Sequence, residues 1–305
     1  PMQWFKGMQV TYPPTLLLEW LRVHPKACKI LHVADWNGLG ALVTLAVKTG
    51  LPQFQHLHIN VQAHGPDFQI SLEGLVEDRL MSDGFRHAQE RLAYEHADSV
   101  AFLNQESENN IKALSRVSPN TFIIPNIVSP LPQSMISRLP NGDRVTTIKP
   151  RLVIFYGKIN SRKGFNLFIK SILQVPKELL FGLQIAIVGP MLMSNETVTR
   201  ALDIVRNYTM GTSPVKVYHS WNRLEVIDFF ISHAHEALVI LPSYFEVQSF
   251  ALFDILQSGI PFLATNISAH RAQIPLELHS LLLTSPDHHS LADKLTTVIT
   301  NGIDW

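Results

Sequence analysis

Through the second half of the chain, apolar residues fall in short unbroken runs separated by stretches with a helical period. Leu152, Val153, Ile154 and Phe155 are consecutive, and residues 183–189, 237–241 and 260–264 carry further apolar runs. Runs of this length that are apolar at nearly every position suit parallel strands buried on both faces. Residues 165–173 and 224–234 instead place apolar side chains on one helical face. Residues 250–258 are helical in composition, with Ser249 suited to the N-cap and Gly259 to the C-terminal stop. Strand and helix thus alternate over residues 151–285, which predicts an α/β doubly wound parallel sheet. Such sheets gather ligands at the carboxyl ends of their strands.

The first half has the same alternation in a looser form. Residues 29–34 and 57–61 predict strands, with a helix over 41–48 between them. A long helical stretch is expected over 78–100, a strand over 121–126, and an amphipathic helix over 9–25. Residues 128–150 are Pro-rich and polar and are expected to be a linker. Two domains follow, over residues 1–145 and 146–305.

Residues 241–265 carry the most suggestive chemistry. Glu246 and Asp254, separated by seven residues, flank a polar turn and a helix start. The backbone N–H groups of Gln248, Ser249 and Phe250 would be free at that helix N-terminus, where phosphate or sugar oxygens accept them. Asp254 lies in a helix that is otherwise almost wholly apolar, so its carboxylate needs a partner. Water, a nearby cation and a ligand all meet that need.

The order Pro242, Ser243, two residues, Glu246, seven residues, Asp254, then Gly259 and Pro261 resembles the nucleotide-sugar motif of glycosyltransferase family 4. These are retaining enzymes of the GT-B fold, in which two Rossmann-like domains face each other across a cleft. The resemblance implies that Glu246 holds hydroxyls of a donor sugar and Asp254 the ribose hydroxyls, with the amides of Gln248, Ser249 and Phe250 on sugar and phosphate oxygens. Two positions depart from the family. Asp254 stands in place of Glu, and Gln248-Ser249-Phe250 stands in place of Phe-Gly-Leu, losing a glycine that allows close backbone approach.

Upstream, Gly157-Lys158-Ile159-Asn160-Ser161-Arg162-Lys163-Gly164 resembles the family's Gly-Arg, four residues, Lys-Gly element. Its cations, here Lys158 and Lys163, would neutralise the donor diphosphate as it leaves. A Lys at 158 retains the charge without the guanidinium's bidentate geometry. The strand ending at Gly189 and the segment 215–221, with Ser220, are similar to the family's nucleotide- and base-facing edges, and Tyr218 and Trp221 suit core packing. In the first half, His64 after the strand over 57–61 matches the family's histidine that reaches toward the donor sugar. The first domain lacks the family's opening strand and Gly-rich loop, which implies a shortened protein, a fragment or an incomplete gene product.

Composition narrows the setting. The 305 residues suffice for two domains with cores, and 46% are hydrophobic. Twenty-five basic and 25 acidic residues cancel, so no nucleic-acid footprint is present. A lone cysteine, Cys28, excludes an internal disulfide and suits a reducing compartment. No run approaches the roughly 20 apolar residues of a membrane span, and no secretory pattern opens the chain. Fourteen histidines raise the question of a metal, yet no ligand-spacing motif appears, and neither does the Asp-x-Asp of the other major glycosyltransferase fold.

The resemblance together with these limits leads to one expectation. The chain is expected to be a metal-independent retaining glycosyltransferase that needs no cofactor beyond its nucleoside diphosphate sugar donor. The acceptor would be a saccharide or a lipid-linked saccharide, in cell-surface polysaccharide or glycoconjugate synthesis. A cytoplasmic location follows, with the inner face of the membrane as one site of peripheral association. A non-catalytic nucleotide-sugar-binding protein and a nucleotide-sugar epimerase remain as alternatives.

Overall fold

A computed structural model describes residues 13–72, 81–139 and 147–305. The expected domain boundary at 145/146 and the outer ends of the helices expected over 9–25 and 78–100 lie outside the described residues. The chain forms two compact units, Pro1–Asn126 and Ile127–Trp305.

In the first unit, α1 (Pro13–Val23) precedes β1 (Ile30–Ala34), α2 (Ala41–Lys48), β2 (His58–Ala63), α3 (Asp67–Leu72) and α4 (Met81–His96). β3 (Ser99–Phe102), α5 (Gln105–Leu114) and β4 (Thr121–Ile123) complete it. The four strands form one parallel sheet in the order β1-β2-β3-β4. α4 stops where Asp98 turns its side chain to the Ile59 amide, at 2.8 Å, and the chain enters the fully buried β3. β4 is shorter than the expected strand because Pro125, with no N–H, ends the ladder.

Behind this sheet lies a group of buried polar side chains. Glu90 is inaccessible to solvent; its Oε2 accepts from the Phe68 amide at 3.1 Å, and its Oε1 has no partner among the described residues. Burial pushes the Glu90 carboxyl up to about 8 and the Asp35 carboxyl up to about 6. The folded state therefore holds protons that the unfolded chain has released, and this contribution to stability is lost as pH rises, between about 4.5 and about 8 for Glu90. Glu90→Gln, which is always neutral, should gain Tm over the parent as pH is raised from about 5 to about 9. A Tm difference that stays flat over that range would show that Glu90 is not held protonated.

The second unit opens with α6 (Gln133–Ile136) and β5 (Thr147–Ile148), then β6 (Leu152–Tyr156), α7 (Phe165–Ile172), α8 (Lys177–Leu180) and β7 (Gln184–Val188). α9 (Asn195–Tyr208), β8 (Val215–Tyr218), α10 (Arg223–His233), β9 (Ala237–Leu241), α11 (Phe250–Ser258) and β10 (Phe262–Thr265) follow. α12 (Ser268–Gln273), α13 (His279–Leu282), β11 (Leu283–Thr284), α14 (His288–Asn301) and β12 (Ile303–Asp304) end the chain. Six parallel strands form a sheet in the order β11-β10-β9-β6-β7-β8, and β5 pairs antiparallel with β12. β9 is buried at every position, which accounts for its unbroken apolar run. The stretch expected as linker is packed where it is described. Leu131 is buried with Ile227 and Ile231, and Met135 and Leu139 lie against the same cluster. The spacing 131, 135, 139 is an apolar stripe of helical period that the surrounding prolines obscure.

Candidate functional site

The sheet order fixes where a ligand can sit. From β6 the chain runs outward through β7 and β8, then returns to place β9 on the other side of β6. The loops leaving the carboxyl ends of β6 and β9 therefore diverge at the topological switch point, where open α/β sheets bind ligands. Those loops carry residues 157–164 and 242–249, the two segments singled out in the sequence.

The loops meet backbone to backbone. Gly164 has φ +74°, and a Cβ there would lie 1.8 Å from the Pro242 carbonyl oxygen. The Tyr244 amide donates to the Arg162 carbonyl at 2.9 Å. The Asn160 side chain accepts from the Lys163 amide at 2.8 Å, turning the loop into α7. On the other side of β6, Gly157 and Gly189 touch: a Cβ on Gly189 would lie 2.1 Å from the Gly157 oxygen. Both glycines have positive φ and end their strands, and the Gly189 amide donates to the Tyr218 carbonyl at 3.0 Å.

Glu246 is the centre of this arrangement. Its carboxylate, 7% exposed, accepts from Lys163 Nζ, from Arg162 Nη1 at 3.3 Å and from Ser243 Oγ at 3.1 Å. Burial pushes the Glu246 carboxyl up, but Lys163 and then Arg162 outweigh it and hold the group below the usual carboxylate range. Burial pushes Lys163 down, against the pull of Glu246, and Arg162 and Lys158 add to the lowering. Two cations thus hold one carboxylate, and a third, Lys158, is exposed to solvent and acts on Lys163. His270, fully buried, donates from Nδ1 to the Thr265 carbonyl at 2.8 Å, and burial holds its imidazole down at about 4. It stays neutral and adds no charge, so the excess of positive charge comes from Lys158, Arg162 and Lys163 against the one carboxylate.

The helix start differs from expectation in one respect. Ser249 is the N-cap, accepting from the Leu252 amide at 3.3 Å, and Gly259 closes α11 in the left-handed region. The Ser249 amide, however, is not free: it donates to Gln273 Oε1 at 2.8 Å, while Gln273 Nε2 donates back to the Ser249 carbonyl at 3.0 Å. A glutamine on α12 has the amide geometry to close that two-bond ring. Gln248 is half-buried in the same turn, and the Phe250 side chain is 52% exposed at the first helical position.

Asp254 has found its partners inside the protein. It is 6% exposed; Oδ1 accepts from Arg223 Nε at 2.6 Å and Oδ2 from the Tyr156 hydroxyl at 2.8 Å. Arg223 also donates to Gln257 and, at 3.3 Å, to the Ser129 carbonyl. Of the partners open to this carboxylate from sequence, a nearby cation is the one realised. Ser220 is exposed just after β8. The Tyr218 and Trp221 rings stack at 4.0 Å, and both lie against Phe229.

In the first unit, His64 follows β2. Its amide and that of Gly65 donate to Asp35 Oδ2, each at 3.1 Å, and the Tyr94 hydroxyl donates to the same oxygen at 2.6 Å. The half-buried imidazole lies 5.6 Å from the Trp36 ring. Burial, then the neighbouring His32, lowers its pKa, so it is neutral near pH 7. Arg162, Tyr156, Arg223, Gln273 and Asp35 are the residues that motif reading passes over. Arg162 and Asp35 had a visible signal, as a charge adjoining a motif lysine and a carboxylate at a strand end; the other three contact the site only through the fold. Among the described residues, no group of three or more His, Cys, Asp or Glu could hold a metal ion.

Residues 143–304 match the Glycosyl transferases group 1 family, and no curated protein matches the chain significantly. Among solved structures, a sucrose-phosphate synthase from Thermosynechococcus elongatus is similar at TM-score 0.68 and 16% identity, over 95% of this chain and 69% of that one. Anabaena HepE, solved with UDP and glucose, gives TM-score 0.66 and 15% identity over 93% and 72%. WaaG, a glycosyltransferase involved in lipopolysaccharide biosynthesis, gives 0.56 and 14% over 89% and 90%. The parallel sheets, their order and these neighbours are those of a GT-B fold. With the match spanning more than half of its length, the chain belongs to the Glycosyl transferases group 1 family.

Proposed function

We propose that this protein is a retaining glycosyltransferase that takes its sugar from a nucleoside diphosphate sugar. One observation carries the reading: Arg162 and Lys163 both pair with the single buried carboxylate of Glu246 at the switch point of the sheet, with Lys158 close enough to act on Lys163, leaving net positive charge where a diphosphate would lie. Lys163 and Lys158 bind the diphosphate, and Glu246, held ionised by its neighbours, accepts from hydroxyls of the sugar. Stabilising the departing diphosphate is electrostatic work, usually the largest share of catalysis. The side-chain cations supply it, so activity should persist with chelator present. Departure and attack take place on one face of the sugar, and a donor phosphate oxygen takes the acceptor's proton. His64, neutral near pH 7, is the first unit's candidate contribution.

The strand ends at Gly157 and Gly189 and the helix start at Phe250 offer backbone to the nucleotide, with Ser220 beside the base. Each oxygen of Asp254 retains a lone pair beyond its internal bond, and those receive the ribose hydroxyls. Arg223 and Tyr156 then orient the carboxylate. HepE was solved with UDP and glucose, which supports a donor of this class. The acceptor is proposed to be a saccharide or lipid-linked saccharide of a surface glycoconjugate. Action from a cytoplasmic face belongs to the same proposal; among the described residues no helix is long and apolar enough to cross a membrane.

A thermal-shift screen of UDP, GDP and ADP and their common sugars tests the reading, because a ligand of the native state raises Tm. At 100 times its Kd the matching nucleotide should add about 2.7 kcal/mol. No shift with any nucleoside diphosphate or donor would refute the proposal. A shift without sugar transfer would leave only a nucleotide-binding protein.

A further inference from the structure

Arg162 has one edge fixed and the other open. Its Nη1 donates to the Phe245 carbonyl at 3.1 Å and to Glu246 Oε2 at 3.3 Å, and its own carbonyl accepts from Tyr244. Among the described residues, Nε and Nη2 have no hydrogen-bond partner, and the side chain is a quarter exposed. Those two nitrogens form the edge of a guanidinium that grips an oxyanion through two parallel bonds. Because Nη1 is pinned, little side-chain freedom is left to lose when the open edge binds. Lys163 is paired with Glu246 and Lys158 is exposed, and each is a point charge without a fork.

Resting on the donor proposed above, we propose that Arg162 is the bidentate ligand of the donor's diphosphate. Its Nε and Nη2 would take two oxygens of the β-phosphoryl group, the one bonded to the sugar, while Nη1 keeps Glu246 in place for that sugar. Arg162 would then couple the phosphate and sugar contacts within a single side chain. Monophosphates, which lack the second phosphoryl group, would gain little from it.

Calorimetry on the full chain with UDP, GDP, ADP and their monophosphates tests this. Arg162→Lys keeps the charge and removes the fork; Arg162→Gln removes the charge as well. The diphosphate bound by the parent should bind Arg162→Lys about tenfold more weakly and Arg162→Gln more weakly still, with monophosphate affinity within about twofold of the parent. Tm for both variants identifies a folding defect, and two variants guard against loss of either. Parent-like diphosphate binding by folded Arg162→Lys would overturn the inference and leave the donor reading standing. Equal weakening of mono- and diphosphate would overturn it in favour of a structural role. If the parent binds no diphosphate at all, the donor reading fails, and the inference with it.

Discussion

Lys163→Met should lower kcat by about 10²–10³-fold, the usual cost of removing one charged or hydrogen-bonding group from a developing oxyanion. The physical reason is local. Lys163 is 14% exposed, so its charge is little screened, and the diphosphate leaves carrying charge that this ammonium must meet. The substitution also strips Glu246 of its nearest cation, although Arg162 and Ser243 still satisfy the carboxylate. Methionine fills a similar volume, so the variant should fold, with a stability loss of about 1–3 kcal/mol from the weakened pairing. Steady-state kinetics with the donor found by thermal shift, together with urea unfolding, separate the two effects. A kcat within a few-fold of the parent would remove Lys163 from the leaving-group role.

Gly164→Ala should be more damaging to the fold than to any single contact. The new methyl would sit 1.8 Å from the Pro242 carbonyl oxygen at a backbone φ of +74°, and neither obstacle can be relieved by rotating a side chain. Left-handed backbone alone costs a non-glycine residue on the order of 1–3 kcal/mol, and the clash must be met by separating the two loops. Denaturant unfolding should show a loss of about 3 kcal/mol or more, and any protein that folds should bind nucleoside diphosphate poorly, because Lys163 and Glu246 lie on the loops forced apart. By contrast, a Cβ on Gly182, also at positive φ, would meet nothing within 4 Å, so Gly182→Ala should lose only the backbone contribution. Equal losses at the two positions would show that the loop contact contributes nothing.

The second unit was largely legible in the sequence because its rules are local. The β9 run is apolar because both faces of that strand are covered, and Ser249 and Gly259 end α11 by cap chemistry that depends on neighbours in sequence. The meeting of residues 157–164 with 242–249 is different. It depends on which strands pair, and motif order implied it only through resemblance. Three features escaped for the same reason. Gln273 reaches the Ser249 amide from 24 residues away, Arg223 reaches Asp254 from 31 residues away, and Leu131 packs on Ile227 and Ile231 although its neighbours look like linker. Helix-start amides can be listed from sequence, but whether a distant side chain occupies them cannot. In the first unit, the Asp35 contacts that hold the His64 turn come from two separate segments, through Gly65 and Tyr94. His64 was legible only as a position; its neutral, half-buried state emerges from packing.

The central claim is sugar transfer from a nucleoside diphosphate sugar through the Lys163–Glu246 site. Proton NMR of the parent with the donor found by thermal shift follows the anomeric signal as nucleoside diphosphate is released, with water or a saccharide as acceptor. The account predicts a first-formed product with the donor's own anomeric configuration, and a rate at least about 10²-fold lower in Lys163→Met and Glu246→Gln. Release of the opposite anomer, or parent-like release by both variants, would contradict it.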